Sequence, residues 1–182
     1  MSASAAIDVS GILNAIPGMD SNARQIVRER AGRWLELGAK KALAAKQVLE
    51  ALEAVERQER EQLQRHVAGL DTVSRIVEAF RRKPLADGER RAVQVLLDNP
   101  GSQSEVLTSK ARWRAQHWHM KFGLMCRERQ HLLWPAPFDE KRDDNFYCGI
   151  LADLDDFDNT FTMKPEAVEA FRQLGVVATG QP

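Results

Sequence analysis

The stretch SNARQIVRERAGRWLELGAKKALAAKQVLEALEAVERQEREQLQRHVAG, residues 21–69, constrains the fold more than any other feature of the chain. It contains no proline and is built largely from Ala, Leu, Glu, Gln, Lys and Arg, the strongest helix formers. Ser21 is a candidate N-cap. Gly32 and Gly38 each weaken a helix by about 1 kcal/mol relative to Ala, so a break near Gly38 is open. Beyond it, Ala45, Val48, Leu49, Leu52, Val55, Leu63, Val67 and Leu70 recur at steps of three and four. The stripe is narrow, and the rest of the surface is charged. A stripe of that width covers little of a globular core and suits a partner helix better. The expectation is a coiled-coil-like arm that pairs two copies of the chain through residues 21–68.

The remainder divides around this arm. Residues 1–20 are small and weakly patterned, a flexible N-terminal arm with one helical turn around Ile12 to Ile16. LDTVSRIVEAFRRKP adds a short helix with Val73, Ile76, Val77 and Phe80 on one face and Pro84 closing it. The helical interaction region therefore runs over 21–83. From residue 85 the pattern is that of a small domain. LADGERRAVQVLLDNPG gives a helix with Asp87 as candidate N-cap, apolar Ala92, Val93, Leu96 and Leu97, and a stop at Asn99-Pro100-Gly101. SQSEVLTSK opens with Ser102 and carries Glu105 three residues on, the capping-box spacing. ARWRAQHWHMKFGLMCRERQHLLW then reads as one longer helix ended by Trp134-Pro135-Ala136-Pro137. Ala111, Ala115, Trp118, Phe122, Cys126 and Leu133 share its buried side, and Gly123 is its weak point. FYCGILADL and TFTM read as strands of a hairpin across the turn LDDFDN. KPEAVEAFRQLG is a final helix with Pro165 at its first position, and 176–182 form a tail.

The charge balance is zero, with 26 basic and 26 acidic side chains, but it is unevenly spread. Residues 1–83 and 84–134 each carry a net +3, and residues 135–182 a net −6. Within 110–131, Lys110, Arg112, Arg114, Lys121, Arg127 and Arg129 face only one acid, Glu128, and three histidines and two tryptophans lie among them. A local basic, aromatic segment of this kind bears on a polyanion partner more than the global charge does. On a helical wheel with Lys110 at zero, Arg114, His117 and Lys121 fall within about 40° of it, beside the apolar stripe, with Arg112, Gln116 and Arg127 beyond them. Such a face has the donors that reach base edges in a major groove.

The order of elements, helix, short turn, short helix, tight turn, longer helix and hairpin, resembles a winged helix-turn-helix domain over residues 85–175. LADGERRAVQVLLDNPGSQSEVLTSKARW is similar to the opening of many bacterial winged-helix regulators, with an acidic cap, an Asn-Pro-Gly turn and a serine before the second helix. The long helix is more aromatic than that pattern, and the wing, ADLDDFDN, is acidic. The resemblance implies a winged head with one small β-hairpin, which with the helical arm read from the 21–83 pattern makes a mainly α fold. It implies a non-enzymatic dimeric regulator of transcription or another genome-handling process, binding double-stranded DNA. Arg112, Arg114, Gln116, His117 and Lys121 would face the groove, with Lys110 on the same side; Ser102, Ser104 and Arg127 would serve the backbone. The rival expectation is a non-catalytic subunit of a larger assembly, whose head packs on protein through Trp113, Met120 and Trp134.

Other chemistries are weaker. His117 and His119 are two apart and point about 160° away from each other on a helix, so one ion cannot take both. Glu128-x-x-His131 lacks the second pair a di-iron site needs. Asp153, Asp155, Asp156 and Asp158 lack the glycine and terminal glutamate of a calcium loop. No phosphate-cradling glycine loop or GxSxG motif is present. Neither a metal nor a cofactor is expected. Cys126 and Cys148 form no CxxC pair, no apolar run approaches the roughly 18 residues of a membrane span, and MSASAAIDVSGILNAIPGM lacks the marks of a secretory signal. A cytoplasmic setting is the expectation.

Overall fold

A computed structural model describes residues 7–114, 117–141 and 143–179. The fold is mainly helical, with two small antiparallel sheets. It divides into two compact units, the division falling between Leu63 and Gln64.

The first unit begins with α1 (Ser10–Ala15), a 3-10 turn over Ile16–Gly18, and α2 (Ser21–Leu35). The cap of α2 is Asp20, whose carboxylate accepts from the Ala23 amide at 2.7 Å; Ser21 is the first helical residue instead. The helix stops before Gly38, which sits at φ +95°, a conformation open to glycine at little steric cost. The chain then enters α3 (Ala39–Ala68). Arg24 of α2 grips Glu59 of α3 through two hydrogen bonds of 2.5 and 2.7 Å, and Arg28 reaches Glu56 at 2.7 Å. The two helices therefore run antiparallel. Val9, Ile16 and Ala31 close over Ala44, Ala45, Val48 and Leu52, with Leu49 and Val55 packed at the margin. The part of the thin stripe from Ala45 to Val55 is thus covered by this chain's own α2 and N-terminal turn. A single stripe looks unpartnered in sequence because its cover is supplied by a separate helix beyond a glycine.

The second unit takes in the end of α3, α4 (Thr72–Arg82), α5 (Asp87–Asp98), β1 (Ser102–Gln103), α6 (Ser104–Lys110) and α7 (Trp118–Arg129). There follow a two-residue ladder of β2 (Phe138–Asp139) and β3 (Asp144–Asn145), a 3-10 turn over Tyr147–Ile150, the hairpin of β4 (Ala152–Asp155) and β5 (Thr160–Met163), and α8 (Pro165–Gln173). α4 packs on α8, with the Phe80 and Phe171 rings edge to face at 5.0 Å. The main sheet has the order β1-β5-β4, with Ser102 opposite Phe161 and Ala152 opposite Met163.

Two side chains organise this core. Trp118 is fully buried, donates its indole N–H to the Ala92 carbonyl at 2.9 Å, stacks on Phe122 and meets Phe161 edge on. Arg129 is fully buried as well. Its guanidinium bonds both Glu89 oxygens (3.1 and 2.8 Å) and the carbonyls of Lys83, Met125 and Pro84, and lies over the Phe80 ring. Every donor direction is used, which is the condition for burying a guanidinium at all.

Three sequence expectations change here. Asp87 is the first residue of α5 rather than its cap; the cap position is Ala86, whose amide donates to Glu89. Ser102 is a strand residue, not a helix cap, and α6 starts two residues later. Residues 146–154 are not one strand: Tyr147–Ile150 form a 3-10 turn, and the strand begins at Ala152. Gly149 explains the turn. A Cβ there would lie 2.5 Å from Phe146 and 2.6 Å from Pro137, so the chain passes where no side chain fits.

Candidate nucleic-acid interface

The helix expected over 111–131 begins only at Trp118, and residues 111–114 lie outside it. α6 ends at Lys110, Arg112 adopts a left-handed conformation at φ +56°, and α7 starts at Trp118. Local bonds hold the break. Arg112 N donates to Ser109 O at 2.9 Å, Trp113 N to Thr108 O at 3.2 Å, and the Thr108 hydroxyl accepts the Trp118 amide at 2.9 Å. One threonine thus closes one helix and serves an otherwise orphaned amide of the next. The left-handed residue is arginine where glycine is usual, so the sequence carries no break signal.

The wheel that grouped the basic residues therefore does not exist. Lys110 ends α6, Arg112 and Arg114 lie on the connection, and His117 directly precedes α7; all four are exposed. None of the four takes part in an ion pair among the described residues. Gln116 and Ala115 lie outside the described residues. Lys121 is on α7, half-buried, with its side chain laid against Gly88 of α5. Arg127 is exposed on α7 with its guanidinium 5.9 Å from the Tyr147 ring centre. Ser102 is half-buried in β1. Ser104 is buried, its hydroxyl 2.8 Å from Nδ1 of His119, which ties α6 to α7 rather than meeting a ligand. Ser104 is thus taken up by a contact within the fold, and the cations are carried by a connection followed by a helix start.

The outward side of α7 is not the basic face expected. Met120 is 60% exposed and Leu124 41%. They line a groove of about 500 Å³ between α7 and residues 144–148, together with His119, Lys121, Arg127 and Tyr147. Gly123 forms its floor, because a Cβ there would be only 3.4 Å from Cys148 Sγ. Nothing in the periodicity foretold the groove, whose second wall is separated from α7 by the Trp134–Pro137 stop. Arg129 was legible: it falls on the same helical face as Trp118, Phe122 and Met125, and a charge on an apolar stripe demands a buried partner.

The hairpin tip is acidic. Asp155 accepts from the Phe157 amide at 2.8 Å and Lys141 pairs with Asp156 at 2.7 Å, while Phe157 itself is 91% exposed. Among the described residues, no group of three or more His, Cys, Asp or Glu side chains converges as metal ligands would. The Cys126 thiol is fully buried, and burial pushes its pKa well up, which keeps it from acting as a thiolate. No helix among the described residues is long and apolar enough to cross a membrane. Comparison with models of protein families, with curated proteins and with solved structures found no match to this chain.

Proposed function

We propose that the chain is a non-enzymatic, cytoplasmic DNA-binding protein, with residues 85–175 acting as a winged helix-turn-helix head and the whole serving transcription or another genome-handling process. The element order α5, α6, α7, hairpin supports the head. So does the tie between β1 and β5, which keeps the hairpin beside the start of α6. The observation that carries the DNA reading is the run of exposed cations at Lys110, Arg112 and Arg114, with His117 after them, none of them in an ion pair among the described residues. Placed between two helices and ahead of the α7 N-terminus, whose amides and dipole favour anions, they suit phosphates more than base edges. Weak sequence preference follows, since phosphate contacts position a protein without reading bases.

The test is binding of the full chain to short random duplex DNA across a salt series. Each phosphate contact removed, through Lys110→Ala, Arg112→Gly or Arg114→Ala, lowers the steepness of log affinity against log salt by about 0.9. Affinity and slope unchanged in the triple variant, with its circular dichroism intact, would overturn the reading.

A protein-docking role is the second reading, favoured by the exposure of Met120 and Leu124 on α7. Pairing of two copies through residues 21–68 draws less support, since the 45–55 part of the stripe that suggested it is covered within the chain.

A further inference from the structure

Two features of the second unit are unexplained by DNA binding. One is the groove on α7: apolar along Met120, Leu124 and Tyr147, bordered by His119 and by the cations Lys121 and Arg127, with Asp144 as its acid. The other is the β4–β5 turn. There Phe157 stands 91% exposed, flanked by Asp155, Asp156 and Asp158. Its conformation is held by the Asp155 carboxylate, which accepts from the amides of both Phe157 and Asp158, and by Asn159 in the left-handed region at φ +54°. An aromatic ring held into water by a built turn forgoes the stabilisation that burial would give it.

The two are complementary in shape class and in charge. The groove offers apolar walls and a cationic border; the turn offers one ring inside a collar of carboxylates. We infer that the occupant of the groove is the β4–β5 turn of a second copy of this chain, with Phe157 entering between α7 and Tyr147 and its flanking carboxylates meeting Lys121 and Arg127. Each copy owns both halves, and in this arrangement a two-fold axis satisfies both contacts at once. A central aromatic anchor in an apolar pocket with a charged margin is the usual distribution of energy at a protein interface. Carboxylates on the turn, which would repel DNA phosphates, attract here instead. The inference does not rest on the DNA reading, and a dimer without DNA binding, or the reverse, separates the two.

The experiment is sedimentation equilibrium of the full chain over a concentration series, with variants. Phe157→Asp and Leu124→Asp each weaken association by about tenfold or more, as loss of a central anchor does. Arg127→Glu and Asp158→Lys each weaken it alone, because like charges then face one another at both contacts. Mixing those two variants restores a mixed dimer, since every contact then pairs opposite charges. A photo-crosslinker at position 157 joins residues 118–129 or 144–148 of the other copy. A chain that is monomeric throughout would overturn the inference. So would a dimer indifferent to Phe157→Asp, mixed variants that fail to pair, or a crosslink elsewhere on a second copy or on another protein.

Discussion

Arg129 shows how one residue fixes the geometry of the second unit. Its guanidinium joins α7 to Glu89 of α5 and to the carbonyls that connect α4 with α5. Replacing one member of a buried, fully bonded pair leaves the other charge uncompensated. Arg129→Met, with Glu89 left behind, is therefore expected to cost about 3–5 kcal/mol in chemical unfolding, and the double variant Arg129→Met/Glu89→Leu to recover much of it. Burial works to raise the Glu89 pKa, but the Arg129 bonds and the Ala86 amide outweigh it and hold the carboxyl below its ordinary value. The sign follows. The contribution is full above the pKa of the unfolded chain and is lost as pH falls through the lower folded value, so acid unfolding of Glu89→Gln should be flatter over that acid range. Arg112 carries a different lesson. Its left-handed backbone costs an L-residue roughly 1–2 kcal/mol that glycine does not pay. Arg112→Gly should thus leave the fold as stable or more so while removing one cation from the proposed interface, which separates strain from charge in a single variant.

At the scale of elements, periodicity worked where one helix packs on one core. α4, α5 and α8 lie where the apolar spacing placed them, with Ile76, Val77 and Phe80 buried on α4 and Ala167 and Phe171 on α8. It failed at 111–131. Ala111, Trp118, Phe122, Cys126 and Leu133 are all buried, as their spacing implied, yet they lie on a turn, a helix and a loop. A shared burial pattern does not prove a continuous helix, because a loop can return its side chains to the same core. The strand expected over 146–154 failed for a related reason. Phe146, Tyr147 and Ile150 alternate acceptably for a strand, but the close passage of Gly149 against Pro137 and Phe146 bends the chain. Gly149→Ala should therefore destabilise the head measurably, because a Cβ would meet a proline ring and an aromatic ring inside van der Waals distance. Thermal unfolding followed by the burial-sensitive fluorescence of Trp118 would record it.

For the whole molecule, the thin stripe of α3 proved to be half of an internal interface. Its other half is α2 with the N-terminal turn, and a break at Gly38 does not by itself say that the two helices fold back on one another. Leu52→Ala, at the centre of that contact, is expected to cost about 2–5 kcal/mol. In hydrogen exchange the loss should appear in α2 and the first half of α3 and leave α5 to α8 protected, as expected of two units with separate cores. The basic segment around 110–121 and the acidic one after 135 were both visible as charge. That the first sits on an exposed connection, and that the second ends in an exposed phenylalanine, was not.

Composition and spacing alone determined a mainly helical chain, most of its helix positions, the hairpin and the concentration of cations between residues 110 and 121. These follow from local propensity and from which residues must leave water, and both are written along the chain. Tertiary structure alone decided where α6 gives way to α7, what covers the α3 stripe, which serines are tied up and where a groove opens. Each of those depends on contacts between residues far apart in sequence, and no local pattern contains the partner that makes them.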